Sequence, residues 1–296
     1  MTSNQQKFEL HFAIDSRTLN AVDAIAEHIP TDSHPISKAE IKQAMAKGCT
    51  WLSRKKNTLR LHRGKKPLQI HDEIHFYFDP QVLAQQPVAP QLIADLEDYS
   101  VWFKPYGVYS QGSKWSDHCT IDRLVSLQLN RHAAIVHRLD RATSGLMLIA
   151  HNKKTAAALS QLFAQRTIDK NYIAIVAGEF PSSEKPVRIE TEIDGKQAVS
   201  EVAMRSYDAE QQQSKVFIKI ETGRKHQVRR HLSELGFPII GDRLYGTAKT
   251  EDENLKLCCQ SLAFICPISG EPKHFQLQQA MQVQFSSHPL TNTRGQ

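Results

Sequence analysis

Three clusters in this chain combine residue types that can do chemistry. The first is His137-Arg138-Leu139-Asp140-Arg141, running on into Ala142-Thr143-Ser144-Gly145-Leu146. An aspartate between two arginines is kept ionised and aimed by them. An ionised, oriented carboxylate can serve as a nucleophile or a base. The second is Lys170-Asn171-Tyr172, opening an alternating run. A tyrosine there can stack on a flat ring or titrate, although an isolated one is more often a core residue with a bonded hydroxyl. The third is Thr222-Gly223-Arg224-Lys225-His226-Gln227-Val228-Arg229-Arg230-His231. Its glycine permits a sharp strand-to-helix turn. Its cations gather at a helix N-terminus, where backbone N–H groups add positive potential. Such a place suits a phosphate or a buried carboxylate.

Other chemistries find less support. There are 14 histidines, but His226 and His231 are five apart and share no helix face. His118-Cys119 and Cys258-Cys259 have no partner at zinc spacing, so no metal is expected. Gly107 to Lys114 is a near miss to a phosphate-binding loop, with the terminal Lys and Ser in the wrong order, and no G-x-G-x-x-G is present. No nucleotide cofactor is expected.

The elements that must position these clusters come next. Leu146 to Ala150, immediately after the Asp140 loop, and Val101 to Lys104 read as buried strands. Thr155 to Gln165 places Ala156, Leu159, Leu162 and Phe163 on one face of a helix. Lys170 to Gly178 alternates as a strand, with Ile173, Ile175 and Ala177 on one side and Tyr172, Ala174 and Val176 on the other. Further strands are expected at Val199–Tyr207, Val216–Thr222, Leu262–Ile265 and Phe275–Phe285, and a helix at His226–Leu235. Many strands with few, irregularly spaced helices predict an α+β fold built on a mixed sheet.

The chain has 296 residues with 40% hydrophobic and 23% charged content, and its mean hydropathy is −0.44. These values fit a globular protein and exclude collagen-like or wholly disordered chains. Five sparse cysteines read as reduced thiols of a cytosolic protein. The stretch Met1 to Lys7 shows no apolar core of a secretory signal, and the apolar runs are too short to span a bilayer. Cytoplasmic location and no membrane partner are therefore expected; a monomer is the working expectation, with no residue pattern behind it.

The net charge of +6 is unevenly spread. Between Pro35 and His75 stand ten Lys and Arg against three acids, a net +7, so the remainder is nearly neutral. A segregated basic module beside a neutral body suggests a nucleic-acid anchor, with Lys38, Lys42, Arg54, Lys55 and Lys56 as candidate phosphate contacts; a solvated basic face is the bland reading. Within it, Ser37-Lys-Ala-Glu40 forms a capping box opening a helix with Ile41, Ala44 and Met45 inward, which Gly48 ends. Short strands follow at Thr50–Leu52, Leu59–Leu61 and Ile74–Phe78. The proline- and glutamine-rich Asp79 to Pro90 marks the boundary. The expected division is 1–79 as the module, 80–91 as a linker and 92–296 as the body.

The module resembles the S4 RNA-binding fold, except that its turn His71-Asp72-Glu73-Ile74 lacks the usual glycine. The body resembles the RluA-type RNA pseudouridine synthases. The HRLD-x-x-TSGL segment is that family's signature, and the K-x-Y strand and the GR-x-HQ-x-R element follow in the family's order. So do Lys104-Pro105-x-Gly107 upstream and Gly241-Asp242-x-x-Tyr245-Gly246 downstream.

The resemblance implies a largely antiparallel central sheet with flanking helices, carrying an S4-like module. It implies isomerisation of uridine to pseudouridine in structured RNA, with ribosomal RNA favoured over transfer RNA and no cofactor. Asp140 then matches the catalytic aspartate, and Tyr172 the tyrosine that packs on the uracil and could take the C5 proton. Arg224 matches the arginine paired with the carboxylate. Arg138, His137, Leu262 and Arg229 are implied substrate contacts; Lys225 departs from the family's frequent Thr and is expected to touch phosphate. Leu257-Cys258-Cys259 stands where the family commonly has Leu-His-Ala, which leaves no histidine there.

The reaction breaks N1–C1′, turns the base and joins C5 to C1′, so atoms and electrons are conserved. The carboxylate could add to the ring, add to C1′ or remove a sugar proton. In each case the uridine must leave its stack, which costs a few kcal/mol; stacking on an aromatic such as Tyr172 returns roughly 1–3 kcal/mol. The alternatives are a catalytically silent RNA-binding or ribosome-assembly protein and an N-glycoside hydrolase. A retaining glycosidase would usually show a second catalytic carboxylate, and none is evident; release of free uracil would mark the hydrolase.

Overall fold

A computed structural model describes residues 6–15, 20–30, 35–246 and 253–285. The segment 1–5, on which the absence of a signal mostly rests, lies outside them. The chain forms two compact units. One holds Met1–Pro87 and Tyr109–Asn130; the other holds Val88–Val108 and Arg131–Gln296. The division is therefore discontinuous, unlike the expected single cut.

In chain order the first unit opens with β1 (Phe8–Ala13), α1 (Ala21–His28), α2 (Lys38–Ala46), β2 (Thr50–Arg54), β3 (Asn57–Arg60), β4 (Glu73–Phe78) and α3 (Pro80–Leu83). The strands form an antiparallel sheet in the order β1-β4-β2-β3. The alternation of β4 turns Ile74, Phe76 and Phe78 inward, onto Ile25 of α1 and Ile41 and Met45 of α2. The α2 start is as expected: Ser37 caps Glu40 N, and the Glu40 carboxylate returns to Ser37 N at 2.8 Å. His71 adopts φ +70°, the left-handed conformation usually given to glycine, so the turn forms without one. β1 and α1 were not legible in the sequence. The linker expectation fails at Pro80, which sits in the first turn of α3 behind the Asp79 N-cap, where its missing N–H costs nothing.

The chain continues with β5 (Gln91–Asp95), β6 (Tyr99–Lys104), α4 (Ile121–Leu129), β7 (Ala134–Ile135), β8 (Ser144–Ala150), α5 (Lys153–Gln165), β9 (Asp169–Ala177), β10 (Val187–Ile193), β11 (Lys196–Asp208), β12 (Gln213–Ile220), α6 (Gln227–Glu234), β13 (Leu257–Ile265) and β14 (Pro272–Gln276). Of these, α4 lies in the segment that joins the first unit. There the Trp51 indole N–H donates to Lys114 O at 3.1 Å, and the Ser116 hydroxyl donates to Lys47 O at 3.0 Å.

The second unit is a ten-stranded sheet of order β10-β11-β12-β9-β13-β8-β6-β5, with β14 on β13 and β7 on β8. Its one recorded parallel junction joins β8 to β13 and pairs Ser144 with Cys258 and Gly145 with Cys259. Gly145, at φ +122°, makes this possible: a Cβ there would lie 2.4 Å from Cys259 N. The sheet is thus mixed and largely antiparallel. The strand expected over Phe275–Phe285 stops at Gln276. β14 runs along β13 from Ile265 to Ser261, and beyond that β8 already occupies the same edge, so no partner remains.

Candidate active site

The Asp140 loop and the β12-to-α6 turn face one another across a cleft of about 290 Å³ in the second unit. Arg138, Asp140, Tyr172, Arg224, Lys225 and Arg229 all line it, with Ile220 and Leu257 as apolar wall. The three clusters far apart in sequence therefore meet.

Each wall has a local cause. The Asp140 loop turns tightly, Thr143 N donating to Asp140 O at 3.0 Å, and then enters the buried strand β8. Beneath it lies Lys104, fully buried. Its ammonium donates to Val108 O at 2.9 Å and Pro105 O at 3.2 Å, and reaches Arg141 O at 3.4 Å. Burial pulls the Lys104 ammonium down to about 7, while the Asp140 charge opposes that fall. On the other wall, Gln227 ties the turn together. Its carbonyl accepts from the Thr222 hydroxyl at 2.7 Å and Arg224 N at 3.0 Å; its amide donates to Val199 O at 2.9 Å.

Arg229 donates twice to Asp242, at 2.8 and 2.7 Å. Asp242 also accepts from Leu244 N and Tyr245 N at 2.9 and 3.0 Å. Burial alone would raise the Asp242 carboxyl, but Arg229 and these two N–H groups hold it below its ordinary value.

Tyr172 is only 8% exposed and pairs in register with Cys259 of β13. Burial, then the Cys259 and Asp140 charges, pushes its phenol well up. The ring therefore enters the cleft as a protonated phenol. Burial likewise pushes the Cys258 thiol up to about 11, so this pair offers no reactive thiolate at neutral pH.

Several expected site residues have other occupations. His137 accepts from Leu148 N through Nε2 at 3.0 Å and stacks on Phe163, ring centres 4.1 Å apart. Burial of the ring pulls its imidazole down to about 3; it is a neutral, half-buried residue whose ring is held by Leu148 N and Phe163. Leu262 is fully buried, pairs with Phe275 and does not line the cleft; Ile220 and Leu257 hold the apolar position instead. Arg224 spends its Nε on Gln197 O at 2.9 Å and not on Asp140. Arg229 lines the cleft with its guanidinium committed to Asp242.

In the first unit, Arg54 is clamped on the buried Asp72 at 2.8 and 2.7 Å, and Lys38 pairs with Asp23 at 2.6 Å. Lys42, Lys55 and Lys56 are exposed, the last two at the β2–β3 turn. Sequence reasoning passed over Lys104, His226 and Tyr245 as site residues, although each stands inside a quoted motif. Among the described residues, no group of three or more His, Cys, Asp or Glu could hold a metal ion, and no helix is long and apolar enough to cross a membrane.

With this geometry in place, comparison with known proteins is decisive for kinship. Residues 98–234 match the family model for RNA pseudouridylate synthase. The tRNA pseudouridine synthase C of Haemophilus ducreyi is 33% identical over 196 residues, covering 55% of this chain and 80% of the relative. The chain belongs to the RNA pseudouridine synthase family. The ribosomal large subunit pseudouridine synthase D of Xanthomonas campestris pv. campestris is another relative, 32% identical over 165 residues, covering 47% of this chain and 49% of that protein. The chain spans about half to two thirds of the length of the first curated relatives it matches. The solved structure of human RNA pseudouridylate synthase domain containing 1 shares the fold at TM-score 0.56 and 24% identity, over 66% of this chain and 86% of that one. Within the family fold, the Asp140 loop enters the sheet at the parallel β8–β13 junction.

Proposed function

We propose that this chain isomerises uridine to pseudouridine in RNA, ribosomal RNA being the favoured substrate class and transfer RNA the next. One observation carries the reading: a single cleft is lined by Asp140, by the basic β12–α6 turn, and by Tyr172 with apolar Ile220 and Leu257. A carboxylate supplies the reacting group, an aromatic and apolar wall receives a flipped pyrimidine, and Arg224 and Lys225 receive flanking phosphates. N1–C1′ breaks, the base turns within the cleft, C5–C1′ forms, C5 loses a proton and N1 gains one. Tyr172 packs on the ring as a neutral phenol, because burial opposes the phenolate that a base role would need.

The names of the relatives, which include both ribosomal and transfer RNA enzymes, support the two substrate classes. Residues 1–79 act as an S4-like RNA anchor through Lys42, Lys55 and Lys56, the protein works as a monomer in the cytoplasm, and no cofactor takes part. The test is RNA carrying uridine tritiated at C5. Tritium release with wild type and none with Asp140→Asn supports the reading. Free uracil would assign an N-glycoside hydrolase. RNA bound without tritium release by wild type would assign a silent binder.

A further inference from the structure

His226 stands at the first position of the α6 turn with φ +55° and ψ +24°, a left-handed conformation that non-glycine residues rarely hold without cause. The Gln227 clamp on Thr222 and Arg224 N imposes it, and the consequence is that the imidazole enters the cleft. Its Nε2 lies 3.8 Å from Asp140 Oδ1. Its Nδ1 lies 3.0 Å from the Tyr245 hydroxyl, the two rings meeting edge to face at 74°. Tyr245 is fixed in turn: its N–H donates to Asp242 at 3.0 Å, and the Arg229 guanidinium sits 5.2 Å from its ring centre.

We propose that His226 is the positioning residue of the Asp140 carboxylate, receiving a hydrogen bond from Tyr245 at Nδ1 and presenting Nε2–H to Asp140. Chemistry selects this arrangement. A lone pair on Nε2 would face the carboxylate and be repelled, so the neutral ring carries its proton on Nε2; Nδ1 is then an acceptor, and the phenol donates to it. A small rotation of either side chain converts the 3.8 Å approach into a hydrogen bond, as catalytic contacts tighten once substrate is bound. The surroundings favour the neutral imidazole. Burial lowers its affinity for a proton, Arg229 and Lys225 lower it further, and Asp140 and Asp242 oppose the fall. A neutral donor orients the carboxylate without the full charge that would blunt its reactivity. Asp140 would then be held by His226, while Arg224 remains on Gln197 O and available to RNA.

The inference rests on Asp140 being the reacting carboxylate, so one arm of its test is independent of turnover. That arm is nitrogen-15 NMR of the His226 ring in wild type, Asp140→Asn and Tyr245→Phe. Wild type should carry the proton on Nε2 at pH 7. Asp140→Asn should lower the titration midpoint of His226 and let the neutral ring populate both tautomers, whereas Tyr245→Phe should keep the proton on Nε2. An unmoved midpoint in Asp140→Asn overturns the proposal, whatever the protein catalyses. The kinetic arm compares His226→Gln with wild type on RNA. The variant should lose roughly 10–100-fold in kcat, keep KM within about threefold, and lack the inflection expected of wild type below the ordinary imidazole range. A raised KM at unchanged kcat would place His226 in RNA binding and overturn the proposal. If His226→Gln fails to fold, Tyr245→Phe carries the same kcat and pH readouts. Absence of pseudouridine with wild type would count against the functional reading alone, since the NMR arm still decides the relay.

Discussion

Arg229 and Asp242 form a two-point ion pair, at 2.8 and 2.7 Å, with both side chains buried. The pair joins α6 to the turn that carries Tyr245. Removing one partner leaves an uncompensated buried charge, which costs about 3–5 kcal/mol. Arg229→Ala should therefore lower the melting temperature sharply and reduce modification with it. Chemical denaturation checks the stability. A variant as stable as wild type but weak in RNA binding would restore Arg229 to the role of substrate contact.

Gly145 predicts a failure of backbone fit. Its φ of +122° and the 2.4 Å from a would-be Cβ to Cys259 N leave no room for a methyl group. Gly145→Ala must open the parallel β8–β13 junction, and the Asp140 loop that enters β8 moves with it. The expected result is loss of more than about 4 kcal/mol or no soluble protein. Wild-type stability in circular dichroism melts would contradict this account of the junction.

His137 predicts a pH dependence. Its folded-state value, pulled from 6.5 to about 3 by burial, means that the unfolded chain takes up a proton first. The stability it contributes is complete above about pH 6.5 and is lost as pH falls towards 3, at up to roughly 1.4 kcal/mol per pH unit. His137→Gln, which can still accept from Leu148 N, should flatten the stability profile in that window. An unchanged slope would show that other groups set acid lability.

The first unit separates anchors from braces. Lys55→Ala with Lys56→Ala should weaken RNA binding and reduce the slope of log affinity against log salt by about 1.5, with no change in melting temperature. Arg54→Ala should do the reverse, because it unpairs the buried Asp72, whose carboxyl Arg54 holds below its ordinary value. Binding titrations at several salt concentrations, beside melts, distinguish the two. Equal effects from both variants would refute the division.

Much of this was legible from sequence because local signals and tertiary structure agree. Ser37 and Glu40 announce α2, and the motif residues Asp140, Tyr172 and Arg224 reach one cleft although 84 positions separate the first from the last. The misreadings have physical causes. His137 and Leu262 sit near motif residues, but His137 spends its ring on Leu148 N and Phe163, and strand pairing buries Leu262 in β13. Arg54 counts as positive charge in a sequence, yet folding neutralises it against Asp72, which is eighteen residues away. Pro80 reads as a breaker and acts as a helix start. The joining of 109–130 to the first unit depends on contacts such as Trp51 to Lys114, which no local pattern encodes.

The most direct measurement is nucleoside mass spectrometry on ribosomal and transfer RNA from a strain lacking this protein, each incubated with wild type or Asp140→Asn. The account predicts pseudouridine with wild type only, in the RNA class that is the substrate. Pseudouridine formed equally by Asp140→Asn, or by neither protein while RNA stays bound, would contradict it.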